Sequence, residues 1–315
     1  MRILVTGGAG FIPSHLCDHL AKEGHSLVLV DDLSLGRREN IAHLLEGGPV
    51  EFHELDILDR AFDAIVAQGK FDCVFHMAAN SDIQAGSRDR AIDLDKTFLT
   101  TWNVLEAMAR HAVPRLVFAS TSAIYGDVEE PTGEDFGPLI PVSFYGAAKL
   151  AGEAYCSAYA HRHDIKTWVF RFPNVVGSRA THGVILDFVR RLKEEPSVLR
   201  VLGNGNQEKP YLYVQDLVAA MLLVWERADP DPYEVFNIGP QTATRVRRIA
   251  EMVVDEMGGV ATIEYGEENV GWPGDVPKFA YDLRKISALG WKPSGTSDQA
   301  VERAVRDIVA EQLAK

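Results

Sequence analysis

Cysteine is scarce in this chain of 315 residues. Cys17, Cys73 and Cys156 stand far apart, in odd number and with no CxxC spacing. That leaves no disulfide framework and no thiolate metal site to expect, and it suits free thiols in a reducing cytoplasm. Basic charge is also in deficit. Lys and Arg total 32 against 45 Asp and Glu, for a net charge of −13. A nucleic-acid footprint needs a basic surface, so that partner class is excluded. The longest apolar run, Val218 to Trp225, falls well short of the about 20 residues that span a bilayer, so no membrane partner is expected. The apolar stretch Met1 to Thr6 reads as a strand, and no secretory signal is expected before it. The ten histidines form no ligand cluster (His161 and His163 are two apart and share no helix face), so no metal is expected. Repeats and low-complexity segments are missing too.

What the chain does have is alternation. Ile3–Thr6, Ser26–Val30, Val50–His53, Cys73–His76, Leu116–Ser120 and Thr167–Arg171 read as strands. Between them Ser14–Glu23, Arg60–Gln68, Asp95–Arg110 and Tyr145–Arg162 carry helical patterns. This order predicts an α/β fold of Rossmann type, a doubly wound parallel sheet covered on both faces. After Arg171 the chain is punctuated by Gly and Pro, but a helix over Val214–Arg227 and a strand over Glu234–Ile238 return to the first pattern. The expected organisation is a cofactor-binding domain of residues 1–171 and 213–242, and a smaller, discontinuous α/β substrate domain of residues 172–212 and 243–315.

The segment Thr6 to Pro13, TGGAGFIP, links the first strand to the first helix. Glycines there let the backbone turn tightly and approach a pyrophosphate at the positive helix end. Asp31 ends the second strand, 21 residues after Gly10. An acid there accepts from an adenosine ribose and repels a 2′-phosphate, which favours NAD over NADP, although Arg37 and Arg38 follow. Pro13 occupies the third glycine position. Proline is tolerated in a first helical turn, so binding is expected to survive with a shifted helix.

Tyr145 and Lys149 are four apart at the start of a helix and share a face. A phenol with pKa about 10 is a poor base near neutrality, and an adjacent cation stabilises its phenolate. Ser120, Thr121 and Ser122 end the preceding strand, where open α/β sheets bind ligands, so Thr121 or Ser122 could bond the reacting oxygen.

TGGAGFIPSHL, VDDLSLG, Asp56-Ile57, His76-Met77-Ala78-Ala79, STSAIYG, YGAAK, RFPNVVG, LGNGNQEKPYLYV and GWPGDVP run the length of the chain. Together they resemble the extended short-chain dehydrogenases/reductases, in the NAD-dependent epimerase/dehydratase branch. The resemblance implies NAD held by Gly7, Gly10, Phe11, Ile12, Asp31, Asp32, Asp56, Ile57, Ala78, Ala79 and Pro173. It implies Thr121, Tyr145 and Lys149 as catalytic residues, the last two also touching the cofactor. A nucleotide sugar would meet Ser122, Asn174, Arg179, Lys209, Tyr211, Asp275 and Phe279 as well as Thr121 and Tyr145. A homodimer built on the helices Asp95–Arg110 and Tyr145–Arg162 is implied by the same likeness.

Within that branch, 4,6-dehydratases carry an Asp-Glu pair where this chain has Ser122-Ala123, and decarboxylases resemble Thr-Ser-Glu where it has Ala123. C4 epimerisation of a UDP-sugar needs no further acid–base pair and remains, with a nucleotide-sugar 4-ketoreductase or other nucleotide-sugar oxidoreductase as the alternative and a non-catalytic NAD-binding module as a more distant one. Phe279 falls where the family's 4-epimerases admit or exclude an N-acetyl group. A large residue there points to UDP-glucose/UDP-galactose or UDP-glucuronate/UDP-galacturonate, and Arg179 suggests a bond to a C6 carboxylate or a phosphate. Lys209 and Trp272 stand where the family usually has arginine, and Thr97 where it often has asparagine.

Overall fold

The computed structural model describes residues 1–128, 130–268 and 279–314, with Gln84 and Ser87 described by backbone alone. Seven parallel strands form the central sheet, in the order Tyr233–Asn237, Lys166–Phe172, Arg115–Thr121, Cys73–His76, Arg2–Thr6, Ser26–Asp31, Val50–Glu54. The inner strands are buried along nearly their whole length, as expected when helices cover both faces. The strand order reverses between Cys73–His76 and Arg2–Thr6, and the crevice beyond their carboxyl ends is where such sheets bind ligands. The predicted return strand is present: Tyr233–Asn237 pairs in parallel with Lys166–Phe172 and closes one edge.

The first helix is Phe11–Lys22 and begins directly after Gly10, three residues earlier than its polar-apolar pattern indicated. Pro13 is its third residue, inside the first turn, where a missing N–H breaks no intrahelical bond. The periodic stretch expected as one helix from Asp95 is divided. Leu94–Leu99 is a π-helical turn, and the α-helix runs from Thr100 to Arg110. Wide turns of this kind push side chains out of register and recur at functional sites.

A second hydrophobic core lies beyond the sheet. Ile185, Leu186 and Val189 of the helix Val184–Glu194 meet Ile249 and Val253 of Val246–Glu256, and Val301, Val305 and Ile308 of Ser297–Leu313. The last helix opens with a capping box, Thr296 and Gln299 satisfying each other's backbone N–H groups. Phe11 and Ile12 of the first helix pack on this second core, so the glycine loop sits where the two cores meet. Tyr281, Leu283, Ile286 and Trp291 belong to the first core instead. No helix among the described residues is long and apolar enough to cross a membrane.

Candidate active site

A cleft of about 880 Å³ opens between the cores, within the range of small-ligand sites. One wall is the glycine loop. Gly7 has φ +69°, and a Cβ there would lie 2.8 Å from the Cα of Ala78. The loop therefore touches the end of the neighbouring strand, which only glycine permits. The Gly7 N–H donates to the Val30 carbonyl at 2.7 Å. No side-chain hydrogen bond caps the helix that follows, so its first N–H groups face the cleft beside Gly10, Phe11 and Ile12 as an anion cradle. This open helix end, the close loop and the volume of the cleft fit a dinucleotide.

Asp31 lines the same wall in a structural posture. One carboxylate oxygen accepts from the Ala9 N–H at 2.9 Å and the other from the Leu33 N–H at 2.8 Å. Burial raises its pKa above the ordinary carboxylate value, against these two bonds. Asp31 thus braces the glycine loop as well as facing the cleft. Asp32 and Asp56 are joined through Lys96, whose Nζ lies 2.8 Å from one carboxylate and 2.5 Å from the other. Ile57, Ala78, Ala79 and Pro173 also line the cleft.

The reacting end is formed by the strand Arg115–Thr121 and the helix Phe144–His163. Ser143 caps this helix, its hydroxyl accepting from the Gly146 N–H at 3.0 Å. A Cβ on Gly146 would come within 2.6 Å of the Ala123 carbonyl, so the helix start presses against the turn after Thr121. Tyr145 is within hydrogen-bond reach of Thr121, whose own hydroxyl oxygen accepts from the Ala123 N–H at 3.2 Å. Burial pushes the Tyr145 phenol up to about 12, with the Thr121 bond opposing. Lys149 is buried, donates to the Ala119 carbonyl at 2.6 Å and lies 4.8 Å from the Phe118 ring centroid. Burial lowers its pKa to about 8, opposed by Cys156 and Glu153. The arrangement can hold a neutral phenol and a cation in one dry pocket, poised for proton exchange with a bound hydroxyl.

Ser122, Asn174, Lys209, Tyr211 and Phe279 all line the cleft. Arg179 is not among the residues that line it. Its guanidinium pairs with Asp18 at 2.9 Å, and its N–H donates to both oxygens of Glu311 at 3.0 Å. Held on both sides, it faces the junction of the first and last helices. Asp275, Trp272 and Lys278 lie outside the described residues. Thr97 accepts from the Asn80 N–H at 3.1 Å and so fixes a cleft-lining loop.

Several groups escaped the sequence reading. Lys96, Asn80 and His182 line the cleft, and Glu153 and Arg171 form a buried ion pair behind it. Lys96 emerges from the π turn, which periodicity does not reveal. Glu153 lies at helical spacing from Tyr145 and Lys149, and that spacing was a usable signal.

Fold and site together define a class: an open α/β enzyme that binds a dinucleotide at the strand switch and carries a Tyr–Lys couple beside it. Residues 3–239 match the model of the NAD dependent epimerase/dehydratase family, and the chain belongs to that family, with NAD as its cofactor. It is similar to the UDP-glucose 4-epimerase of Mycolicibacterium smegmatis, with 30% identity over 97% of each chain. Among solved structures it is similar to a UDP-galactose 4-epimerase, with 39% identity, a TM-score of 0.88 and 99% of both chains covered. It is also similar to the UDP-glucuronic acid 4-epimerase of Bacillus cereus in complex with UDP-glucuronic acid and NAD, with 28% identity, a TM-score of 0.88, and 99% of this chain and 100% of that one covered.

Proposed function

We infer that this protein is an NAD-dependent 4-epimerase of a UDP-sugar. The observation that carries the reading is the meeting of Thr121, Tyr145 and Lys149 at the end of the dinucleotide cleft, with Ala123 where an elimination or decarboxylation would need an acid. Residues 1–171 and 213–242 hold the cofactor in this reading, and residues 172–212 and 243–315 the nucleotide sugar, with the first core also taking in Tyr281 to Trp291.

Bound NAD supplies a hydride acceptor that becomes the donor in the return step. The Tyr145 phenolate takes the proton from the sugar O4 and later gives it back. Thr121 bonds O4 and holds it in line with the phenol. Lys149 supplies positive charge that favours the phenolate against the burial that raises the phenol. The 4-keto sugar turns about its diphosphate and presents its other face for reduction, and Tyr145 returns the proton to O4. Asn174, Lys209 and Tyr211 serve the diphosphate and uridine, together with Asp275.

The sugar is UDP-glucose/UDP-galactose or UDP-glucuronate/UDP-galacturonate. The hexose pair is favoured here, because Arg179 pairs with Asp18 and does not line the cleft. Purified protein is incubated with UDP-glucose and UDP-glucuronate separately, without added cofactor, and the product is read by NMR. Inversion at C4 is expected with UDP-glucose. No inversion with either sugar would return the field to a ketoreductase.

We place the protein in the cytoplasm as a homodimer. Its three thiols are free and buried. Leu94, Trp102 and Tyr155 are large exposed side chains on the π turn and the two adjoining helices, a face suited to a second copy. Trp102→Glu should yield a monomer by light scattering, and an unchanged mass would remove this face as the interface.

A further inference from the structure

Glu153 and Arg171 are 4% and 5% exposed and joined at 2.6 Å between Oε2 and Nη2. Arg171 Nε adds bonds to both carboxylate oxygens at 3.0 and 3.2 Å. Ser120 donates its hydroxyl hydrogen to Glu153 Oε1. Arg171 Nη1 donates to the Tyr125 hydroxyl oxygen at 3.0 Å and to the Glu134 carbonyl at 3.1 Å. Tyr125 in turn donates to Asn237 Oδ1 at 2.8 Å. Such a pair is expensive to bury and is a weak route to stability alone.

Its placement is informative. Tyr145, Lys149 and Glu153 succeed one another turn by turn on one helix face. They meet three consecutive strand residues: Tyr145 reaches Thr121, Lys149 the Ala119 carbonyl, and Glu153 the Ser120 hydroxyl. Arg171 is the strand partner of Ser120 and lies two residues before Pro173, at the edge of the cleft.

We propose that Glu153 and Arg171 are positioning residues for the Tyr145–Lys149 couple: they lock the catalytic helix in register against two strand ends and keep the buried charge around Lys149 balanced. The carboxylate is one helical turn from the Lys149 ammonium and favours its cation, and Arg171 offsets that carboxylate. The other groups around Lys149 are Tyr145 and Cys156 on its own helix, His76 on the neighbouring strand, and Tyr125 and Tyr233 around the ion pair. His76 has its pKa lowered to about 3 by burial and is neutral over the working range.

The inference rests on Tyr145 and Lys149 being the catalytic couple, so the test includes a readout that needs no turnover. Lysine labelled with ¹³C at Cε is followed by NMR titration in the NAD-loaded dimer, with the Lys149 signal assigned by its loss in Lys149→Met. In Glu153→Gln, a near-isosteric change that keeps one accepting oxygen and loses the other, Arg171 is left unbalanced. Lys149 should then titrate about one pH unit lower, and the alkaline limb of kcat should move down with it. kcat should fall about tenfold while KM stays within about twofold. Arg171→Lys keeps the charge but loses the fork, so kcat should fall while the titration stays in place. Wild-type titration and wild-type kcat in Glu153→Gln would overturn the proposal. An inactive wild-type protein would instead count against the epimerase reading, and the titration would still decide the role of the pair.

Discussion

The two halves of the cleft are built on different principles. The cofactor half rests on backbone at its glycine loop. A left-handed glycine presses against Ala78, a helix end is left without a side-chain cap, and Asp31 is buried against the N–H of Ala9 in the glycine loop and that of Leu33 just after it. The half proposed for the sugar relies on side chains: Ser122, Asn174, Lys209 and Phe279 line the cleft from separate segments. A backbone site tolerates side-chain change, and Pro13 sits in the first turn of the helix Phe11–Lys22 without interrupting it. A side-chain site changes specificity with one substitution, which is why the same fold serves several sugars.

Breaking the chemistry between the halves should have the largest effect. Tyr145→Phe removes the base, and kcat should fall by at least about 10³-fold with NAD still bound, as read by coupled assay and cofactor absorbance. Near-normal turnover would remove Tyr145 from the mechanism. In the cofactor half, Gly7→Ala forces a Cβ at φ +69° to within 2.8 Å of Ala78 backbone. NAD retention after gel filtration should drop on the order of 100-fold, whereas Pro13→Gly should leave it nearly unchanged. Equal losses in these two variants would contradict a backbone-defined cradle.

The couple also sets a pH dependence. Lys149, lowered to about 8 by burial, is a cation below that pH and neutral above it. kcat/KM should therefore fall as pH rises through about 8, by up to tenfold per unit. A flat profile to pH 10 would show that the Lys149 charge is not used.

The sugar half responds by substrate exchange. Phe279→Ala opens space in the cleft, and kcat/KM for UDP-N-acetylglucosamine relative to UDP-glucose should rise about tenfold. The smallest effect is expected for Arg179→Ala. KM should stay within about twofold while Tm falls by a few degrees, because the lost pair with Asp18 is partly exposed. A large KM increase would restore Arg179 to the substrate.

The same contrast explains what the sequence made legible. The parallel sheet, the glycine turn and the Tyr145–Lys149 face follow from local spacing, and all are in place. The start of the first helix at Phe11 was hidden because Pro13 masks a first turn. The π turn that projects Lys96 toward Asp32 and Asp56 has no period of its own. Arg179 sits two residues after Gly177, next to the cleft in sequence, but Asp18 and Glu311 draw it away, and only tertiary contacts reveal that. The Glu153–Arg171 pair joins a helix to a strand 18 residues on, a distance over which no pattern in one sequence links two charges.

In a 4-epimerase of this kind one hydride leaves C4 and returns to it inside a single protein. UDP-glucose carrying deuterium at C4 tests it directly, with unlabelled NAD present in excess and the product read by NMR and mass spectrometry. The account predicts UDP-galactose with the deuterium still on C4 and none in the added NAD. Deuterium appearing in free NADH, or washed into solvent, would contradict it.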